Sequence, residues 1–279
     1  MIAVIAGTGF SSLPKEILGN LKEEKKIETP FGNIVTLKFL EINKKRVVFL
    51  FRHGFERLEL TAPFINYRAN IYALKEIEVE RIISLNTVGS INPALKVGDF
   101  VIPHDFVDLT KNRKSTFYEN KGYGYIRMNP PFCPETRKAL IEATQKHSTR
   151  TFLKGIYFCF EGSRLETSSE ISLAKFLGGD VVGMTLATEA VLARELEICY
   201  ASLCFVVNYA EGVFSDEEGK NLLLPEDEKE KKEELPTLFY QILKDVLKLI
   251  PNERACPCKD AMISFKKQKV IKDDWHTWI

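Results

Sequence analysis

Short, almost uninterrupted apolar runs recur along this chain of 279 residues, separated by segments with helical spacing. Ile2–Ala6 (IAVIA), Arg81–Leu85 (RIISL) and Cys199–Val207 (CYASLCFVV) read as buried strands. None approaches the roughly 18 consecutive apolar residues that a membrane helix needs. Between such runs, Tyr67–Glu76, Glu135–His147, Ser169–Leu177 and Thr188–Leu196 read as helices, with Pro134 suited to a first turn. Strands that alternate with helices define an α/β protein.

The remaining elements follow the same logic. Asn33–Ile42 and Arg46–Phe51 alternate as an antiparallel pair joined at Asn43-Lys44-Lys45. Gly98–Pro103, Lys154–Cys159 and Val181–Met184 are short strands, and Leu235–Ile250 is the helix expected to close the domain. Glu226–Glu234 is a charge run, a solvated helix face or a linker. With 45% apolar residues and no repeat, one domain over 1–279 is the economical reading. A formal net charge of +1 excludes a protein built to grip a nucleic-acid backbone. The N-terminus lacks a signal-peptide pattern, so a cytoplasmic protein is expected, with no membrane partner.

Six cysteines punctuate the chain. In that compartment Cys133, Cys159, Cys199 and Cys204 read as free buried thiols. Cys256-Pro-Cys258 is a single C-x-C pair with no histidine close in sequence, so no metal site is expected.

Several strand ends carry anion chemistry. Gly7-Thr8-Gly9 lets backbone N–H groups approach an anion, with a hydroxyl as a further donor; a tight turn explains it equally well. The third glycine of a dinucleotide fingerprint is missing. Arg52-His53 follows a strand, and an arginine fork complements phosphate, although a solvated basic pair is the plain alternative. Asn86-Thr87 and Thr185 also end strands, where ligands collect in such sheets. Glu166 and Asn208 offer a carboxylate and an amide, alternatively a surface residue and a cap. Met184 is a candidate ligand neighbour or a gap-filling core residue.

Taken in order, GTGF (Gly7–Phe10), FRHG (Phe51–Gly54), FINYRANIYALKE (Phe64–Glu76), NTVGSIN (Asn86–Asn92), PFCPETR (Pro131–Arg137), EGSRLETSSE (Glu161–Glu170), VGMT (Val182–Thr185) and NYAEG (Asn208–Gly212) resemble the trimeric purine nucleoside phosphorylase and methylthioadenosine phosphorylase family. The resemblance implies a mixed, partly barrel-like central sheet flanked by helices. It implies phosphorolysis of a purine–ribose bond, with inorganic phosphate as co-substrate and no metal or organic cofactor. It maps Thr8, Arg52, His53, Thr87 and Thr185 onto one phosphate pocket, with Asn86 adjacent. Glu166 and Asn208 become the purine readers, and Met184 and Leu165 lie near the sugar. Tyr125 is the side chain a neighbouring subunit would contribute in a homotrimer or homohexamer. Some thermophilic members carry a late C-x-C used as a disulfide, as Cys256 and Cys258 would be.

The pairing of Glu166 with Asn208 implies the 6-oxopurine branch, because the adenosine-type branch usually has aspartate at position 208. A carboxylate accepts from N1–H of a 6-oxopurine, and an amide both donates to O6 and accepts from N7–H. Adenine leaves those groups mismatched, which discriminates by about 10⁴-fold or more. Inosine, guanosine and 5′-methylthioinosine are the expected substrates. A methylthioadenosine phosphorylase and a non-catalytic nucleoside-binding relative are the alternatives. The sequence departs from the family at Ala6, Ser163 and Ala187-Thr188, and FERLELTAPF after Gly54 lacks the usual histidines. Asn221–Pro225 (NLLLP) is expected to give the sugar 5′ end an apolar wall.

Overall fold

The computed structural model describes residues 1–7, 21–32, 34–54, 59–148, 150–214 and 226–279, with 226–234 described by backbone alone. The described strands form one mixed sheet of eleven. At its centre β1 (Ile2–Ala6) lies parallel to both β4 (Lys45–Phe51) and β5 (Arg81–Ser90). β5 runs parallel to β11 (Cys199–Tyr209) throughout, and its last two residues pair antiparallel with β10 (Val181–Gly183). The sheet therefore forks at β5. One branch continues through β10 to β9 (Ile156–Cys159) and β7 (Asp105–Asp108). The other continues through β11 to β6 (Phe100–Val101) and β8 (Thr151–Phe152).

Side-chain alternation explains why the central strands are apolar at nearly every position. Ala3 and Ile5 join a core cluster with α1 (Tyr67–Glu76) and α4 (Leu186–Glu195). Val4 and Ala6 face the other way, into a cluster with α2 (Pro134–His147) and α5 (Glu226–Leu249). Both faces are covered, so neither parity of the strand is free to be polar.

The expected hairpin is present as β3 (Ile34–Ile42) against β4, with Asn43 and Lys44 at φ of 52° and 60° in its turn. Two backbone conformations on the left-handed side match the twist of the flanking strands. β2 (Leu21–Glu28), sequence LKEEKKIE, extends the sheet beyond β3. Its charges hide it from an apolar-pattern reading and suit an exposed edge strand. Two expectations are corrected. β5 extends past Leu85 to Ser90 because β10 and β11 hydrogen-bond its second half, so Asn86 and Thr87 lie within the strand. The chain also packs beyond Ile250, through short turns at Pro257–Asp260, α6 (Ile263–Lys267) and Trp275–Thr277. Trp278 and Met262 are buried in the first core cluster, and anchoring by isolated side chains leaves no periodicity to read. Among the described residues no helix is long and apolar enough to cross a membrane.

Candidate active site

The ends of β4, β10 and β11, the second half of β5 and Tyr157 of β9 surround a cavity of about 320 Å³. Arg52, His53, Asn86, Thr87, Leu165, Glu166, Met184, Thr185 and Asn208 all line it. Thr8 and Asn221–Pro225 lie outside the described residues. Tyr125 does not line the cavity; it stands 89% exposed on the surface.

One wall is a buried polar network. Arg52 is held by the Leu85 carbonyl and Asn86 Oδ1, both at 3.0 Å, and by Ser84 Oγ at 2.6 Å. Its Nε also lies 2.7 Å from Glu189 Oε1, and Glu189 accepts from Ser84 Oγ and the Tyr200 hydroxyl. Gly7 makes this possible, because a Cβ there would come within 2.5 Å of Arg52 Nη1. Asn86 is saturated: Oδ1 accepts from Arg52 and from Thr185 Oγ1, while Nδ2 donates to Ser84 and Ser202. Its amide therefore positions Arg52 and Thr185 and has no group left over. Thr185 caps α4 without a side-chain bond to its own helix, its hydroxyl donating to Asn86 instead. His53 Nδ1 lies 2.8 Å from the Leu60 carbonyl. A carbonyl only accepts, so Nδ1 carries the proton and Nε2 keeps a lone pair. Burial holds this imidazole below its ordinary range, against the opposing pull of the Leu60 bond.

The opposite wall carries Glu166 and Asn208. Glu166 is 7% exposed, and its Oε1 is buried with no hydrogen-bond partner among the described residues. Desolvation raises its carboxyl above the ordinary value. The loop that carries it is anchored by the capping box of Thr167 and Glu170 at the start of α3 (Ser168–Phe176), with Arg164 paired to Glu170 at 2.8 Å. Asn208 donates to the Tyr209 carbonyl at 2.8 Å, which leaves its second N–H and its oxygen for a ligand. It follows a bulge in β11: Val206 pairs with Val88 but Asn208 pairs with Gly89, so Val207 is an extra residue. Met184 lies between the two walls, and its Sδ would sit 2.6 Å from a Cβ at Gly162, which has φ +72°.

Sequence reasoning found the residues that face the cavity and missed those that hold them. Glu189, Ser84, Ser202 and Tyr200 are polar residues inside apolar elements, and that interruption was the available signal. Leu60 and Ala62, within the FERLELTAPF segment that lacks the expected histidines, line the apolar rim.

The α/β fold that carries this cavity is of the nucleoside phosphorylase type. The chain belongs to the phosphorylase superfamily, whose model matches residues 1–248. It is 44% identical over 268 residues to a probable 6-oxopurine nucleoside phosphorylase of Thermococcus kodakarensis, covering 94% of this chain and 97% of the relative. It is 43% identical over 262 residues to a probable S-methyl-5′-thioinosine phosphorylase of Methanocaldococcus jannaschii, covering 94% and 98%. Among solved structures, a methylthioadenosine phosphorylase from an Antarctic soil metagenomic library superposes with a TM-score of 0.79 at 33% identity, covering 93% of this chain and 90% of the other.

Proposed function

We propose that the protein cleaves 6-oxopurine nucleosides with inorganic phosphate, releasing the base and a ribose 1-phosphate. The observation that carries this reading is the orphaned Glu166 carboxylate oxygen, buried in the same cavity as an amide with a spare donor and acceptor. A 6-oxopurine satisfies all three groups at once, whereas adenine offers N1 as a lone pair to a carboxylate. Leaving such a group unpaired costs about 1–3 kcal/mol, which supports selection by base.

The chemistry needs little from the protein beyond placement. Phosphate held by N–H groups at the α4 start and by Thr87, beside Thr185 and His53, lies beneath the sugar and stabilises positive charge as the base departs. Asn208 stabilises the negative charge growing on the purine near N7. These are preorganised electrostatic contacts, with no covalent intermediate. The rim at Leu60, Ala62 and Val207 is apolar, which suits a 5′-methylthio group as a second accepted substituent. We further read the assembly as a homotrimer or a multiple of it, with Tyr125 reaching a neighbour's sugar pocket. Its high exposure on the single chain supports that reading. Light scattering tests it, and a fully active monomer would refute it.

The deciding experiment measures phosphate-dependent base release from inosine, guanosine, adenosine and the two methylthio nucleosides. Preference for the 6-oxopurines is expected. Preference for adenosine or methylthioadenosine would overturn the reading of Glu166 and Asn208.

A further inference from the structure

A second cluster of reactive side chains lies far from the cavity and was invisible in the sequence. Cys133 precedes the first turn of α2, Cys199 opens β11, and Cys256 and Cys258 flank Pro257 in the C-terminal segment. All four are buried, and their Sγ atoms lie within 4.8 Å of one another. The expectation that Cys256-Pro-Cys258 lacks partners for a metal is thus corrected: the fold supplies Cys133 and Cys199 from distant segments. Cys159 and Cys204 are buried and unpaired elsewhere, as read.

We propose that Cys133, Cys199, Cys256 and Cys258 bind a structural zinc ion as a tetrahedral tetrathiolate that fastens the C-terminal segment to the sheet. Four sulfur donors are a set that zinc accepts, and a closed, buried set is the structural rather than the catalytic kind. A Zn–S bond of about 2.3 Å gives a tetrahedron with sulfur–sulfur edges of about 3.8 Å. The separation of 3.3 Å between Cys199 and Cys256 and the upper bound of 4.8 Å bracket that edge. Binding releases the thiol protons, and the resulting anionic centre faces a cation. Arg81 is 2% exposed, and its Nη1 lies 3.8 Å from Cys199 Sγ, while the same nitrogen pairs with Glu135 at 3.1 Å. Its Nη2 is fixed by the Pro251 and Glu253 carbonyls, which bring the C-terminal segment to the cluster.

An independent observation points to thiolate. Thr136 lies one helical turn beyond Cys133, and its buried hydroxyl has no conventional hydrogen-bond partner among the described residues. A thiolate sulfur is the acceptor that such an orphan needs, in the manner of outer-shell donors around metal ligands. The cluster lies at the start of β11 and Asn208 near its end, about 30 Å apart at the usual strand rise. The ion therefore holds the fold and stays clear of the reaction.

The test is metal analysis of the full-length protein purified in the presence of EDTA, with intact mass measured under native and denaturing conditions. About one zinc per chain is expected. Mercurial titration of the cysteines should release it, and cobalt replacement should give a thiolate charge-transfer band. Cys256→Ser with Cys258→Ser should abolish the zinc, and Cys204→Ala should keep it. The wild-type measurements decide the matter even if the double variant does not fold. Zinc-free wild type whose mass shows hydrogen lost from paired thiols would overturn the proposal in favour of disulfides. Zinc-free wild type with all its thiols reduced, or zinc retained by the double variant, would overturn it as well.

Discussion

Arg52 and Glu189 form an ion pair with Nε and Oε1 at 2.7 Å, both side chains almost fully withdrawn from water beneath the cavity wall. A buried pair is weak evidence of net stabilisation, yet breaking it strands a charge and costs about 3–5 kcal/mol. Glu189→Ala should therefore lose stability on that scale, read from the urea midpoint. A loss under about 1 kcal/mol would mean that water reaches Arg52 and replaces the carboxylate.

Arg52 is tied to Thr185 through Asn86, which accepts from both. Arg52→Ala should raise the phosphate KM far more than it weakens binding of free hypoxanthine. Equal losses for the two ligands would place Arg52 outside the anion site.

Asn208→Asp should shift preference towards 6-aminopurines, because a carboxylate accepts from the amino group and repels O6. Loss of the contact with the preferred base should cost roughly 1.5–3 kcal/mol, ten- to a hundredfold in kcat/KM for inosine. The ratio of kcat/KM for inosine and adenosine in both proteins decides the point. An unchanged ratio would remove Asn208 from base recognition.

Glu166 should trade stability for recognition. Desolvation raises its carboxyl in the folded protein, so the fold binds that proton more tightly than the unfolded chain does. The stability it contributes is present below the unfolded pKa and lost as pH rises through the higher folded one. Glu166→Gln should consequently melt higher than wild type at neutral pH while losing kcat/KM for inosine. In wild type that kcat/KM should fall as acid protonates the carboxylate, and the variant should lack this inflection.

Glu195 makes the same kind of statement away from the site. Burial pushes its carboxyl up to about 7, against the opposing bonds from the Phe117 amide and Thr116 Oγ1. By the same sign, its contribution is lost as pH rises through that value. The melting temperature should decline between mildly acidic and mildly basic buffer, and Glu195→Gln should flatten the decline. A slope unchanged by the substitution would assign it to other groups.

Local pattern carried most of the fold. Tyr67–Glu76 is a helix over the residues expected, and Ile2–Ala6 is the first strand. These elements bury a face of their own, so periodicity exposes them. β2 escaped because its charges mask an edge strand, and the segment after Ile250 because single anchors such as Trp278 hold it without a periodic face. The site divides similarly. Arg52 directly follows a strand and Asn208 lies next to the end of another, so their places at the cavity are legible. Glu189 and the cysteine quartet gain their meaning from long separations, 57 residues between Cys199 and Cys256 and 137 between Arg52 and Glu189, which no local window contains.

The additional residue at Val207 acts as a half-step change of phase in β11. If Val207 were instead paired in a regular ladder, Asn208 would share the parity of Val206 and look into the helical core, because strand side chains alternate strictly. With the bulge, the strand can keep one rhythm for packing and another for the ligand. A change of base preference at position 208 can then arise without rewriting the interior, because the face that Asn208 presents is set by its place opposite Gly89.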